Sequence, residues 1–162
     1  MSLISFFKEA GEKLFGKKAQ ASEAAPADTA AIDAANREAA TAIEKYINSM
    51  GLTVTGLTVT YDGAKATATV FGIAKDQATK EKVILSAGNI YGVAAVDDKM
   101  TVDLSQPESK FYTVVKGDTL SKIAKEHYGD ANAYQKIFDA NKPMLTHPDK
   151  IYPGQNLRIP PK

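Results

Sequence analysis

Two glycines four residues apart, in Gly88-Asn89-Ile90-Tyr91-Gly92-Val93, constrain this chain more than any other stretch. The apolar spacing before them is helical and stops near Ala87, and a strand is expected from about Val93. Between the two, glycine and asparagine allow a sharp turn and positive φ. Two readings stay open on the residues alone. One is a helix C-cap with a tight turn into a strand, because glycine stands where helices stop. The other is a loop that aims several carbonyl oxygens into one space.

The sequence on either side predicts a small mixed domain. A helix is expected from about residue 31 to 49, with Ala39, Ile43, Tyr46 and Ile47 on one face and Gly51 closing it. Leu57 and Val59 alternate with threonines, and Asp62-Gly63 signals a two-residue hairpin. Ala66, Ala68 and Val70 then alternate with polar residues until Gly72 breaks the strand. Asp76 can cap a helix that turns Val83, Ile84 and Ala87 inward. Val96, Met100, Val102 and Leu104 give a final strand, so the order is α-β-β-α-β over residues 31–104.

Upstream, Leu3, Phe6, Phe7, Ala10 and Leu14 recur at helical spacing, which predicts an amphipathic helix within residues 1–18. Such a helix can lie on a membrane surface, but the mixed charges Lys8, Glu9, Glu12 and Lys13 favour docking on the protein's own body. Gly11 and Gly16 shorten it, and the Ala-rich residues 19–30 with Pro26 read as a linker. Downstream of a polar link at residues 105–110, residues 111–162 predict a second unit of order β-α-α-β. Asp118 caps its first helix, which carries Leu120, Ile123, Ala124 and His127 inward and ends at Gly129. Tyr134, Ile137 and Phe138 mark the second helix, and Pro153-Gly154 turns the chain into the strand of residues 156–159. The fold class is α+β, in two small domains.

Little in the sequence supports catalysis. His127 and His147 lie in different elements without a serine or carboxylate partner pattern, and HExxH, P-loop and GxGxxG motifs are absent, so no enzyme is expected. A net charge of +1 gives no reason to expect nucleic acid. Zero cysteines exclude disulfides and thiolate metal sites. No stretch is apolar enough to span a bilayer. Ser2–Phe7 lacks a basic n-region and is interrupted by Lys8-Glu9, which leads to the expectation of a cytoplasmic protein. Asp97 and Asp98 are neighbours on a strand and point to opposite faces, a poor start for a divalent site. A monovalent cation is different, because neutral backbone carbonyls alone can replace its hydration. It needs irregular backbone and helix ends rather than a side-chain signature.

Three resemblances sharpen these expectations. The helix, the Asp62-Gly63 hairpin, Gly72, the helix over 76–87 and Gly88–Val93 make residues 31–104 similar to a BON domain, a class of binding or membrane-associating module. Tyr112-Thr113-Val114, Gly117-Asp118-Thr119-Leu120, Ile123, Asn141 and Ile151-Tyr152-Pro153-Gly154-Gln155, with Leu157-Arg158-Ile159-Pro160, resemble a LysM domain. The LysM resemblance implies recognition of N-acetylglucosamine glycans such as peptidoglycan, in a groove between Gly117, Asp118, Thr119 and Leu120 and Ile151, Tyr152 and Pro153. As a whole, with Phe138, Asn141-Lys142-Pro143-Met144-Leu145 and Pro148-Asp149-Lys150, the chain resembles the bacterial BON–LysM potassium-binding proteins. That resemblance implies one K+ ion, which changes the packing of the two domains. Its ligands would be the backbone carbonyls of Phe7, Ala10, Gly88, Ile90 and Val93. Helix C-termini ending near Ala10 and Gly88 would favour a cation in the same place. A monomeric potassium sensor and a peptidoglycan-binding envelope protein are therefore the two expected functions. No downstream protein partner can be named from the sequence.

Overall fold

The structure, a computed structural model, describes residues 2–8, 10–14 and 29–162. In chain order it contains β1 (Ser2–Ser5), α1 (Thr29–Ser49), β2 (Val54–Asp62), β3 (Thr67–Asp76), α2 (Gln77–Gly88) and β4 (Ala95–Leu104). It continues with β5 (Lys110–Thr113), α3 (Leu120–Tyr128), a 3-10 turn at Ala131–Ala133, α4 (Tyr134–Ala140) and β6 (Asn156–Ile159). The fold is α+β. Residues 15–28, with Gly16, Pro26 and most of the expected linker, lie outside the described residues.

The first four strands form one sheet in the order β1-β4-β3-β2. β2 and β3 pair antiparallel, whereas β3 and β4 run parallel with Val70 opposite Asp98, and α2 is the crossover that a parallel pair requires. Ala39, Ile43 and Ile47 of α1 and Val83, Ile84 and Ala87 of α2 share one core with Val70, Ala74 and Val96 of the sheet. Asp76 caps α2 as its sequence position suggested, accepting from the Thr79 amide at 2.8 Å. That bond holds the Asp76 carboxyl below the usual carboxylate range.

The C-terminal unit is β-α-α-β, with β5 and β6 antiparallel and Leu120, Ile123, Ile137 and Leu157 in a core of their own. Asn141, 2 % exposed, ties α4 to β6: its side chain accepts from the Arg158 amide and donates to the Arg158 and Ile137 carbonyls. Gly129 ends α3 in the left-handed region, φ 80°.

Four local expectations are corrected. The N-terminal helix is replaced over Ser2–Ser5 by β1, which pairs antiparallel with β4, Leu3 opposite Asp97 and Ile4 opposite Val96. Without β1 that side of β4 would be an open edge, and a short glycine-containing helix has too little stability of its own to compete. The pattern the segment obeys has period two: Phe6 is buried and Ile4 packs on the core, while Leu3 and Phe7 are exposed. The hairpin at Asp62-Gly63 has four turn residues rather than two. Asp62 Oδ1 accepts from the amides of both Ala64 and Lys65, which stabilises the longer turn. Gly72 does not break β3. It sits at φ 142°, opposite the register shift between Thr55 and Thr58, where a Cβ would come within 2.6 Å of Val54 Cγ1. Finally, the N-cap of α3 is Thr119, which accepts from Lys122, while Asp118 binds Tyr112 and Val115 instead.

Candidate functional site

After β1 the chain runs directly along the Gly88–Val93 loop. The Phe6 amide donates to Ala94 O at 2.7 Å, the Gly92 amide to Lys8 O, the Glu12 amide to Asn89 O at 3.0 Å and the Tyr91 amide to Glu12 O at 2.7 Å. The two glycines expected to shape the loop have different duties. Gly92 takes the positive φ, 96°, and its carbonyl accepts from the buried Tyr61 hydroxyl at 2.8 Å. Gly88 still belongs to α2, whose C-cap is Asn89 at φ −83°. Glycine is needed at 88 because a Cβ there would lie 2.1 Å from the Phe6 ring. Across the loop, a Cβ on Gly11 would lie 1.7 Å from Asn89 O, and Gly11 sits at φ 108°. The two backbones therefore touch without intervening side chains.

This approach leaves the carbonyls of the five expected ligands in two classes. Phe7 O accepts from the Ala10 amide at 3.2 Å and Ile90 O from the Val93 amide at 3.1 Å, so each keeps a second lone pair. Outside the helices and strands, no described backbone N–H donates to the carbonyls of Ala10, Gly88 or Val93. Ile90 and Val93 have fully buried side chains. Backbone carbonyls in such a setting need a partner, and the C-terminal end of α2 adds partial negative charge beside them. Neutral carbonyl oxygens are the kind of donor a weakly hydrated monovalent cation takes. On the N-terminal side the carbonyls come from a turn after β1, which corrects the expectation of a second helix end.

The C-terminal unit closes on the same segment. Gly154 packs so tightly that an added Cβ would come within 3.1 Å of both Phe7 Cβ and Ala10 Cβ. Asn89 and Asn156 exchange two bonds: Asn89 Nδ2 donates to Asn156 O at 2.9 Å, and the Asn156 amide donates to Asn89 Oδ1 at 3.0 Å. Asn156 Nδ2 also donates to Ser5 O at 3.1 Å, and its Oδ1 accepts from the Thr113 hydroxyl. One asparagine thus touches the loop, the end of β1 and the strand pair of the C-terminal unit. A second anchor is the ion pair of Arg158 with Glu81 on α2, both buried, with Glu81 also accepting from the Ser109 amide at 2.8 Å and Gln77 Nε2 at 3.0 Å. Burial pushes the Glu81 carboxyl up, but Arg158, Ser109 and Gln77 together bring it below its ordinary range.

The residues expected to line a glycan groove are divided. Gly117 and Pro153 are exposed and Thr119 caps α3, but Leu120 is a core residue. Asp118 is occupied by Tyr112, whose hydroxyl donates to it at 2.8 Å and is thereby pushed up to about 12, and by the Val115 amide. Ile151 packs on the C-terminal core. Tyr152 turns toward Gly11 and Tyr46 at the junction, and burial, followed by Tyr46 and Glu12, pushes its phenol up to about 12. His127 packs edge-on against Tyr112, with ring centroids 5.4 Å apart, and His147 Nδ1 accepts from the Asp149 amide. Asp97 pairs with Lys99 and Asp98 with Lys80. Among the described residues no three His, Asp or Glu side chains cluster as metal ligands would.

Sequence reasoning missed Phe6 as the residue that excludes a side chain at 88, and Asn156 as the partner of Asn89. Both contacts join residues far apart in the chain, and neither residue carries a local signal beyond its type.

Comparison with known proteins adds four findings. Residues 112–160 match the LysM domain family. The chain is 43% identical over 160 residues to "Potassium binding protein Kbp" of Escherichia coli O6:H1, with 99% of both chains covered. Shorter similarities link it to an uncharacterized protein of Deinococcus radiodurans, 55% identical over 49 residues, covering 30% of this chain and 19% of that one. The uncharacterized protein YqbP of Bacillus subtilis is 40% identical over 65 residues, covering 35% and 30%. No helix among the described residues is long and apolar enough to cross a membrane.

Proposed function

The chain belongs to the family of its full-length Escherichia coli relative, the potassium binding protein Kbp, and from that premise we propose that it binds one potassium ion on the backbone carbonyls of Phe7, Ala10, Gly88, Ile90 and Val93. The ion orders the N-terminal block, a BON-like module, against the LysM domain, and the protein acts as a cytoplasmic potassium sensor. The supporting observation is the position of residues 6–8 and 10–12. They lie between the loop that carries Gly88, Ile90 and Val93 and the Gly154–Asn156 edge of the C-terminal unit. An ion that draws Phe7 and Ala10 toward the loop also sets the surface on which Gly154 rests. A ligand that binds only the ordered arrangement stabilises it by RT ln(1 + [L]/Kd), so ordering follows potassium concentration.

Titration of the 15N-labelled protein with potassium chloride, at ionic strength held constant with lithium chloride, tests this. Amides of residues 7–12, 88–93 and 154–156 are expected to shift with one common saturation curve. Shifts confined to 88–93 would remove the domain-ordering role, and an unsaturable response would remove the ion site itself.

A second reading, peptidoglycan binding, is favoured by the LysM match alone. It has less room here, because Leu120 and Tyr152 of the expected groove are committed to the core and to the junction. Sedimentation with peptidoglycan that is lost on changing residues 117–119 would support it.

A further inference from the structure

Beside the carbonyl loop, between Glu12 of the N-terminal segment, Tyr46 of α1, Ser86 and Asn89 at the end of α2, and Met144 and Tyr152 of the C-terminal unit, lies a cavity of about 250 Å³. We propose that this cavity is a second binding site, for a small organic cation with a primary ammonium group on a short carbon chain.

Four observations carry the assignment. First, Glu12 is the one formal charge among the described lining residues, and it is exposed enough to meet an entering ligand. Second, Ser86 and Asn89 belong to the last turn and C-cap of α2, so the helix directs partial negative charge into the same space. Third, Tyr46 and Tyr152 give aromatic walls and Met144 a polarizable thioether, surfaces that favour an organic cation over an anion. Burial, with Glu12 as a further cause in both, raises the two phenols, which therefore remain neutral and keep oxygens able to accept. Fourth, the size is wrong for a bare metal ion. The space would hold several waters at about 30 Å³ each, which suits an ammonium head with a few carbons.

A primary ammonium is preferred to a quaternary one because it has N–H donors for the acceptors present. Glu12 supplies a carboxylate with no side-chain partner among the described residues, and Ser86 Oγ, which donates to Lys82 O, still has lone pairs free. The pocket is built from the N-terminal segment, α1, α2 and the C-terminal unit together, so a ligand here would bind across the same junction. Its existence does not depend on the potassium reading.

The test is an NMR titration of the full chain with n-butylammonium chloride, at saturating potassium and constant ionic strength. Saturable shifts are expected at Gly11, Tyr46, Ser86 and Tyr152, with tetramethylammonium at least fivefold weaker. Glu12→Gln, whose side chain is exposed and makes no hydrogen bond or ion pair to a described residue, is expected to weaken n-butylammonium at least tenfold while leaving shifts away from the cavity unchanged. Shifts centred on Gly88 and Val93 instead, an unsaturable response, equal binding of tetramethylammonium, or full affinity in Glu12→Gln would each overturn the proposal.

Discussion

Arg158→Met is expected to lower the stability of the folded chain by about 3–5 kcal/mol, the range for removing one partner of a buried ion pair. Arg158 is 7 % and Glu81 3 % exposed, so the variant leaves a carboxylate buried at the junction of the two cores with only the Ser109 amide and Gln77 to satisfy it. The pair Glu81→Gln with Arg158→Met should recover about half of that loss, because a neutral amide still accepts from Ser109 and carries no charge to bury. Urea denaturation midpoints at neutral pH read both effects. The acid dependence has a defined sign. The folded-state pKa of Glu81 is depressed, so its contribution to stability is complete above the unfolded carboxylate value of about 4.3 and is lost as pH falls through the folded value. In Arg158→Met the depression disappears, and the variant's stability should fall less steeply through that acid range than the parent's.

Gly11→Ala is the second large effect. The new Cβ would lie 1.7 Å from Asn89 O and 2.7 Å from its carbonyl carbon, on a residue held at φ 108°. Neither contact is with a flexible side chain, so the N-terminal segment must move off the loop. That movement strains the bonds of Glu12 with Asn89 and Tyr91 and of Lys8 with Gly92. Backbone strain and overpacking together should cost about 2–4 kcal/mol, and potassium should bind at least tenfold more weakly. Gly129→Ala is the matched control. It sits at φ 80° with nothing within 4 Å of an added Cβ, so it should cost about 1 kcal/mol without changing the potassium response.

Much of the fold could be read from local chemistry. Asp76 before an apolar-periodic run and Gly129 after one mark helix ends because the signals that set them lie within a turn of the end itself. The β-α-α-β unit was legible for the same reason, and its match to LysM covers residues 112–160. What the sequence did not reveal depends on distant partners. Ser2–Ser5 becomes a strand because β4, far along the chain, offers an edge, and four residues are too few to show alternation against an accidental helical spacing. Gly72 looks like a strand breaker until β2 is placed beside it with its register shift. The loop at 88–93 was recognisable as unusual from its glycines. That Gly88 makes room for Phe6, and that Asn89 holds Asn156, required the folded chain.

The most direct measurement is thermal melting of the full chain in potassium, sodium and lithium chlorides at equal ionic strength. If potassium binds the carbonyls between the N-terminal segment and the 88–93 loop, the melting temperature rises with potassium as RT ln(1 + [L]/Kd) requires, and rises less or not at all with sodium and lithium. Superimposable melting curves in all three salts would contradict the site and leave Gly88–Val93 a structural turn.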